Sequence, residues 1–92
     1  MMDEVKTTSP RVLMYTTRWC GYCHRAKRLL QARNIPYQEI DVTRDRTTRR
    51  RVIEETGHPT VPVILIDGQL IGGSDELVEL DQDGELETML AA

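Results

Sequence analysis

The 92-residue chain has no phenylalanine, one tryptophan and three tyrosines, so aromatic side chains make up only 4% of it. So few π-faces leave little for nucleic-acid bases to stack on, and no nucleic-acid partner is expected. Cysteine is equally scarce: two residues are too few for a disulfide framework. Such thiols are expected to be reduced, as in cytosolic proteins. No apolar run approaches the roughly 20 residues of a membrane-crossing helix, so no membrane span is expected. The opening MMDEVKTTSP lacks the apolar stretch of about 7–15 residues that marks a secretory signal, which makes the cytoplasm the expected location. Lys and Arg vanish altogether after Arg51.

That last absence hides behind a net charge of only −3. Residues 1–51 carry all twelve basic side chains against five acidic ones, a net of +7. Residues 52–92 carry ten acidic side chains and no Lys or Arg, a net of −10. The sequence is therefore a charge dipole whose first half can attract a small anion. At 39% apolar and 29% charged, the composition is that of an ordinary globular chain of one domain.

Residues 1–10 read as a flexible tail, and no linker, repeat or low-complexity segment follows. Arg11 to Thr16 (RVLMYT) is apolar and partly β-branched, as a buried strand should be. From Gly21 to Arg33 the period becomes helical, with Cys23, Ala26, Leu29 and Leu30 on one face. Asn34 is a left-handed stop, and Pro36 prevents continuation. Tyr37 to Val42 is a second strand with Ile40 and Val42 on one side, which completes a βαβ unit with parallel strands.

A polar helix follows from Asp45 or Thr47 to Thr56, with Val52, Ile53 and Thr56 as its apolar stripe and Gly57 as its end. Val61 to Ile66 (VPVILI) is a third strand, and Asp67-Gly68 a two-residue hairpin turn into Gln69–Ile71. Ser74 is placed to cap a helix bearing Leu77, Val78 and Leu80. After Asp83-Gly84, a short helix offers Leu86, Met89 and Leu90. The order β-α-β-α-β-β-α-α implies an α/β fold, a four-stranded mixed sheet with helices on both faces.

Chemistry concentrates in Trp19-Cys20-Gly21-Tyr22-Cys23, where the first strand hands over to the first helix. Two residues between the cysteines let both sulfurs meet in a small, reducible ring. Cys20 falls at the helix N-terminus, where unpaired N–H groups favour thiolate, the reactive form. Cys23, one turn in, suits the resolution of a mixed disulfide. A structural zinc site would need four ligands, with only His24 and His58 to complete it, and His24 follows Cys23 too closely for one tetrahedron. A structural disulfide would close too short a loop to stabilise much. Inert core cysteines are the remaining alternative. A C-x-x-C opening the helix of a βαβ unit favours redox chemistry.

The segments YTTRWCGYCHRAKRLL and TVPVILIDGQLIGGSDEL resemble the glutaredoxin family, in its small bacterial dithiol type. The likeness spans about Val12 to Leu90 and rests on the cysteine pair, on Thr60-Val61-Pro62, and on Gly72-Gly73-Ser74-Asp75. It implies a thioredoxin-like fold, with residues 11–92 as the glutaredoxin domain, and glutathione-dependent thiol–disulfide exchange by a monomer. Its partners would be glutathione and disulfide-containing or glutathionylated proteins. Cys20 and Cys23 would be catalytic. Arg18, Tyr22, Thr60, Val61, Pro62, Gly73, Ser74 and Asp75 would bind glutathione, and Pro62 would follow a cis peptide. Val61 would pair its backbone with the cysteinyl unit. Ser74 and Asp75 would hold the γ-glutamyl carboxylate and ammonium. No tightly bound cofactor or metal is implied for the enzyme.

The sequence departs from the family in two places. Thr17 stands where a carboxylate-gripping lysine is usual, which leaves neighbouring Arg18 to take over. Gly21 replaces the usual proline and resembles glutaredoxins that hold an iron–sulfur cluster, so a dimeric, glutathione-ligated [2Fe–2S] carrier is the alternative reading. The run WCGYC also resembles mycoredoxins, which use another small thiol. The five arginines at 44–51 read as a solvated helix face, with Arg49 or Arg50 as a secondary carboxylate contact. His24 and His58 read as surface residues without a ligand. Arg18, Arg25, Lys27 and Arg28 should together make a positive field around Cys20 that favours thiolate and glutathione capture. Replacing Arg18 with Ala is expected to raise the apparent KM for glutathione several-fold, less at high salt. An unchanged KM at low ionic strength removes Arg18 from the binding site.

Overall fold

A computed structural model of the protein describes residues 10–91. The tail expected over residues 1–10 lies outside the described residues apart from Pro10. The elements run β1 (Val12–Thr16), α1 (Gly21–Ala32), β2 (Tyr37–Asp41), α2 (Arg46–Thr56), β3 (Val63–Ile66), β4 (Gln69–Gly72), α3 (Ser74–Gln82) and α4 (Glu85–Ala91). The sheet order is β2-β1-β3-β4. β1 runs parallel to β2 and antiparallel to β3, and β3 is antiparallel to β4. No helix among the described residues is long and apolar enough to cross a membrane.

Alternation along β1 divides the molecule into two layers. Val12, Met14 and Thr16 are buried, and Met14 pairs with Ile64 while Val12 pairs with Ile66. Paired residues share a face of the sheet. On that face they join Ala26 and Leu30 of α1, Leu77 of α3 and Leu86 of α4 in the main core. Tyr15, opposite Ile40 and Val63, points to the other face. There it borders a narrow crevice with Val42 and with Val52 and Ile53 of α2. The sheet thus carries helices on both faces, as the element order predicts.

The boundaries show which local signals decide. Asn34 adopts the left-handed conformation (φ 58°), and Ile35 donates its N–H back to Leu30 at 2.9 Å, which ends α1. Gly57 ends α2 in the same way at φ 74°. Asp67 and Gly68 both take positive φ, the requirement of the tight hairpin turn. β3 begins two residues later than expected, at Val63, because Pro62 has no N–H to give the ladder. β2 stops at Asp41 rather than Val42, and Val42 instead donates its N–H to Thr16 at 2.8 Å. Gly73, not Ser74, occupies the cap position of α3; Ser74 is its first helical residue. Leu30 is fully buried at the centre of the main core. Leu30→Ala should cost about 2–5 kcal/mol of unfolding free energy in urea denaturation. A loss below about 0.5 kcal/mol would contradict this layer assignment.

Candidate active site

The sheet register brings three chain segments to one end of the molecule. Tyr15 pairs with Val63 and Ile64 with Gly72, so the segment after β1, the segment before β3 and the segment after β4 meet there. Cys20 comes from the first, Thr60-Val61-Pro62 from the second and Gly73-Ser74-Asp75 from the third. The Val61–Pro62 peptide is cis, as expected.

The two cysteines occupy opposite environments. Cys20 is the N-cap of α1, and its sulfur accepts the Cys23 N–H at 3.0 Å. Its thiol also reaches the Val61 carbonyl oxygen at 3.7 Å. No disulfide bridges the two sulfurs in this structure. Cys23 is only 1% exposed, and burial pushes its thiol up to about 12, with a further push from the hydrogen bond to Cys20. The Thr17 backbone and the Lys27 charge oppose that rise without cancelling it. One sulfur is accessible at a helix start, and the other is held neutral beneath it.

A cleft of about 330 Å³ is lined by Tyr22, His58, Thr60, Val61, Pro62, Gly73, Ser74, Asp75 and Glu76. It gathers seven of the predicted binding residues and touches Cys20 through Val61. Ser74 is 4% exposed, and its Oγ has no hydrogen-bond partner. A buried hydroxyl without a partner is costly unless something else supplies one.

Two further residues, His58 and Glu76, line the cleft without having been expected there. Glu76 folds back so that Oε1 accepts the Gly73 N–H at 2.7 Å. That fold explains Gly72, which sits at φ 128° and whose Cβ, if present, would lie 2.8 Å from Glu76 Oε1. His58 is not a bare surface residue: it lines the cleft, with Nδ1 2.8 Å from the Thr60 carbonyl oxygen. A glutamate in the first turn of a helix can reach back to the cap N–H, and Glu76 offered that half of a capping box in the sequence. Arg25 bridges from α1 to Asp75 of α3 at 2.9 Å.

Trp19 and Tyr22 stand 82% and 61% exposed on either side of Cys20. Arg18 is outside the cleft lining; its guanidinium carbon lies 5.5 Å over the Trp19 ring, and its N–H donates to Thr43 Oγ1. The Arg18→Ala measurement therefore decides between a grip on a ligand and a cap on Trp19. Arg49 borders the narrow crevice beside Thr60 and Val61, while Arg50 faces a groove along α2 with Arg46, Arg51 and Glu54. The positive field expected around Cys20 is weakened, because Arg25 pairs with Asp75 and Lys27 with Glu39. Among the described residues, no three His, Cys, Asp or Glu side chains cluster as a metal site, so an iron–sulfur cluster would draw ligands from outside this chain.

The glutaredoxin family profile matches residues 12–71. The chain belongs to the glutaredoxin family. It is 43% identical over 79 residues to glutaredoxin 3 of Escherichia coli K12, covering 86% of this chain and 95% of that protein. It is 41% identical over 83 residues to a glutaredoxin of Pseudomonas aeruginosa, covering 90% and 99%. Among solved structures it resembles the holo form of glutaredoxin C1 from Populus tremula x tremuloides, with TM-score 0.83, 33% identity and coverage of 89% and 84%. A buckwheat glutaredoxin–glutathione complex superposes with TM-score 0.84 at 32% identity, covering 89% and 77%. Glutaredoxins are thiol–disulfide oxidoreductases, and this chain shares that activity.

The raised Cys23 thiol has a consequence for stability. Its folded-state value lies above the ordinary 9.0, so the folded state binds the proton more tightly than the unfolded state. This contribution is complete below pH 9.0 and is lost as pH rises toward about 12. Between about pH 9 and 12, wild type should lose stability more steeply with pH than Cys23→Ser in chemical denaturation. Parallel slopes would show that the buried thiol is not the group responsible.

Proposed function

We propose that this glutaredoxin reduces protein–glutathione mixed disulfides and protein disulfides, with glutathione as the electron donor. The observation that carries the reading is the cleft itself: it adjoins Cys20 at Val61 and ends on the orphan hydroxyl of Ser74. A γ-glutamyl carboxylate at the start of α3 would meet backbone N–H groups and supply the partner that Ser74 lacks. Asp75 suits an ammonium group, and Val61 can pair with an extended peptide as a short strand. Tyr22, Thr60, Pro62 and Gly73 form the walls. The buckwheat relative in complex with glutathione supports this choice of ligand. The cytoplasm, where glutathione is held reduced, is the compartment that suits the cycle.

In the monothiol branch, the Cys20 thiolate attacks the glutathione sulfur of a mixed disulfide, and the protein leaves as thiolate and takes up a proton. A second glutathione thiolate then attacks that sulfur, releasing oxidised glutathione and restoring Cys20. In the dithiol branch, Cys20 attacks a protein disulfide, Cys23 attacks Cys20 to expel the substrate thiolate, and two glutathiones reduce the resulting Cys20–Cys23 disulfide. Cys20→Ser should abolish both branches. Cys23→Ser should keep the glutathione-linked branch and lose direct reduction of protein disulfides. Full deglutathionylation by Cys20→Ser, or equal loss of both activities in Cys23→Ser, would overturn these assignments. Comparing glutathione with mycothiol as reductant of the oxidised protein identifies the native thiol; faster reduction by mycothiol would contradict the choice of glutathione.

A further inference from the structure

Between α1 and β2 lies a polar cluster that the cycle above does not use. Lys27 follows Cys23 by four residues, one helical turn along the same side of α1. Its Nζ donates to Glu39 Oε2 at 3.0 Å, and the hydroxyl of fully buried Thr16 donates to the same oxygen at 2.6 Å. The lysine side chain is only 21% exposed. It is thus held inward against β2 by an acceptor that Thr16 itself fixes. Burial works to raise the Glu39 carboxyl, yet the Thr16 hydroxyl and the Lys27 ammonium hold it below its usual range. Glu39 in turn keeps Lys27 protonated, against the pull of burial. The charges of Cys20 and Lys27 act on the Cys23 thiol, and on β2 Glu39 and Tyr37 act on Lys27 and Asp41 on Glu39.

We infer that Lys27, clamped by Glu39 and Thr16, is a positioning residue for the resolving step: it supplies the positive charge against which the Cys23 thiolate forms. The inference rests on the glutathione-linked cycle proposed above. The thiol must release its proton to solvent before its sulfur attacks Cys20. The Cys20–substrate S–S bond then breaks, the substrate sulfur departs with the electron pair and is protonated, and the Cys20–Cys23 bond replaces it. With the thiol pushed up to about 12, thiolate is scarce at neutral pH, and the rate of this step follows its abundance. An ammonium fixed one helical turn from Cys23 raises that abundance. Attack by Cys20 on an incoming disulfide needs no ionisation of Cys23, so Lys27 acts on one branch only.

Oxidised glutathione is the probe. Mixing it with reduced protein forms the Cys20–glutathione disulfide and releases one glutathione, and Cys23 then expels the second at the resolving rate. Lys27→Met should slow the second release about threefold, the deficit that raising the pH by about half a unit restores. Lys27→Arg should recover most of the rate, and Glu39→Gln, which loosens the clamp, should fall between. In a Cys23→Ser background, Lys27→Met should leave turnover of glutathionylated substrate at the Cys23→Ser rate. A second release as fast in Lys27→Met as in wild type overturns the inference. So does equal slowing of both releases, or a deficit that pH does not shift. Failure of wild-type protein to form the mixed disulfide would instead strike the glutathione reading itself. Thermal melting of each variant separates lost folding from lost resolution, and Glu39→Gln keeps the test alive if Lys27→Met does not fold.

Discussion

Met14 faces Ile64 and Val12 faces Ile66 across an antiparallel ladder, four buried side chains on one face of the sheet. The rest of the molecule depends on that pairing. It fixes β1 as a central strand, so the segment leaving it must emerge where β3 begins. A one-residue slip would turn Met14 and Val12 away from α1 and carry Cys20 off the Val61 carbonyl. Hydrophobic register, set by aliphatic side chains far from any sulfur, is thereby converted into the 3.7 Å separation between Cys20 and Val61.

The same helix start gives its two cysteines unequal chemistry. Capping leaves the Cys20 sulfur outside the first turn with an amide donor, whereas the turn carries Cys23 into the interior. A buried thiol resists ionising because the interior solvates thiolate poorly, and the burial that favours the folded protein slows the attack Cys23 must make. Stability and resolution therefore pull on one proton in opposite directions. Lys27 is the cation positioned to ease that conflict, and Glu39 prevents it from swinging into water.

Much of this was legible in the sequence. The apolar spacing of α1, the Asp67-Gly68 turn, the stops at Asn34 and Gly57 and the strand-to-helix placement of Cys20 are local signals, and each has its local physical cause. The three cleft segments could be picked out because their residue types are distinctive. What was hidden is long-range or involves a choice between partners. Glu76 returning to Gly73 takes the cap from Ser74, leaving a hydroxyl with nothing to bind. His58 enters the cleft because Thr60 turns its carbonyl toward the ring. Arg25 and Asp75 meet only because α1 and α3 pack on the same face of the sheet. No spacing rule spans those 50 positions.

The ion pairs across the fold also determine what becomes of the lopsided charge of the chain. Arg11, Arg25 and Arg33 of the basic half meet Asp67, Asp75 and Asp81 of the acidic half, in the same order along the sequence. The folded surface consequently interleaves charges that the sequence segregates. Synthesis presents the two halves at different times: the arginines leave the ribosome first, and their aspartates follow some fifty residues later. β1 is likewise made before β3, so until Val63 has emerged one edge of the future central strand has no partner. A nascent chain at that stage is a cationic polymer with an open strand edge, and only its acidic second half closes both liabilities.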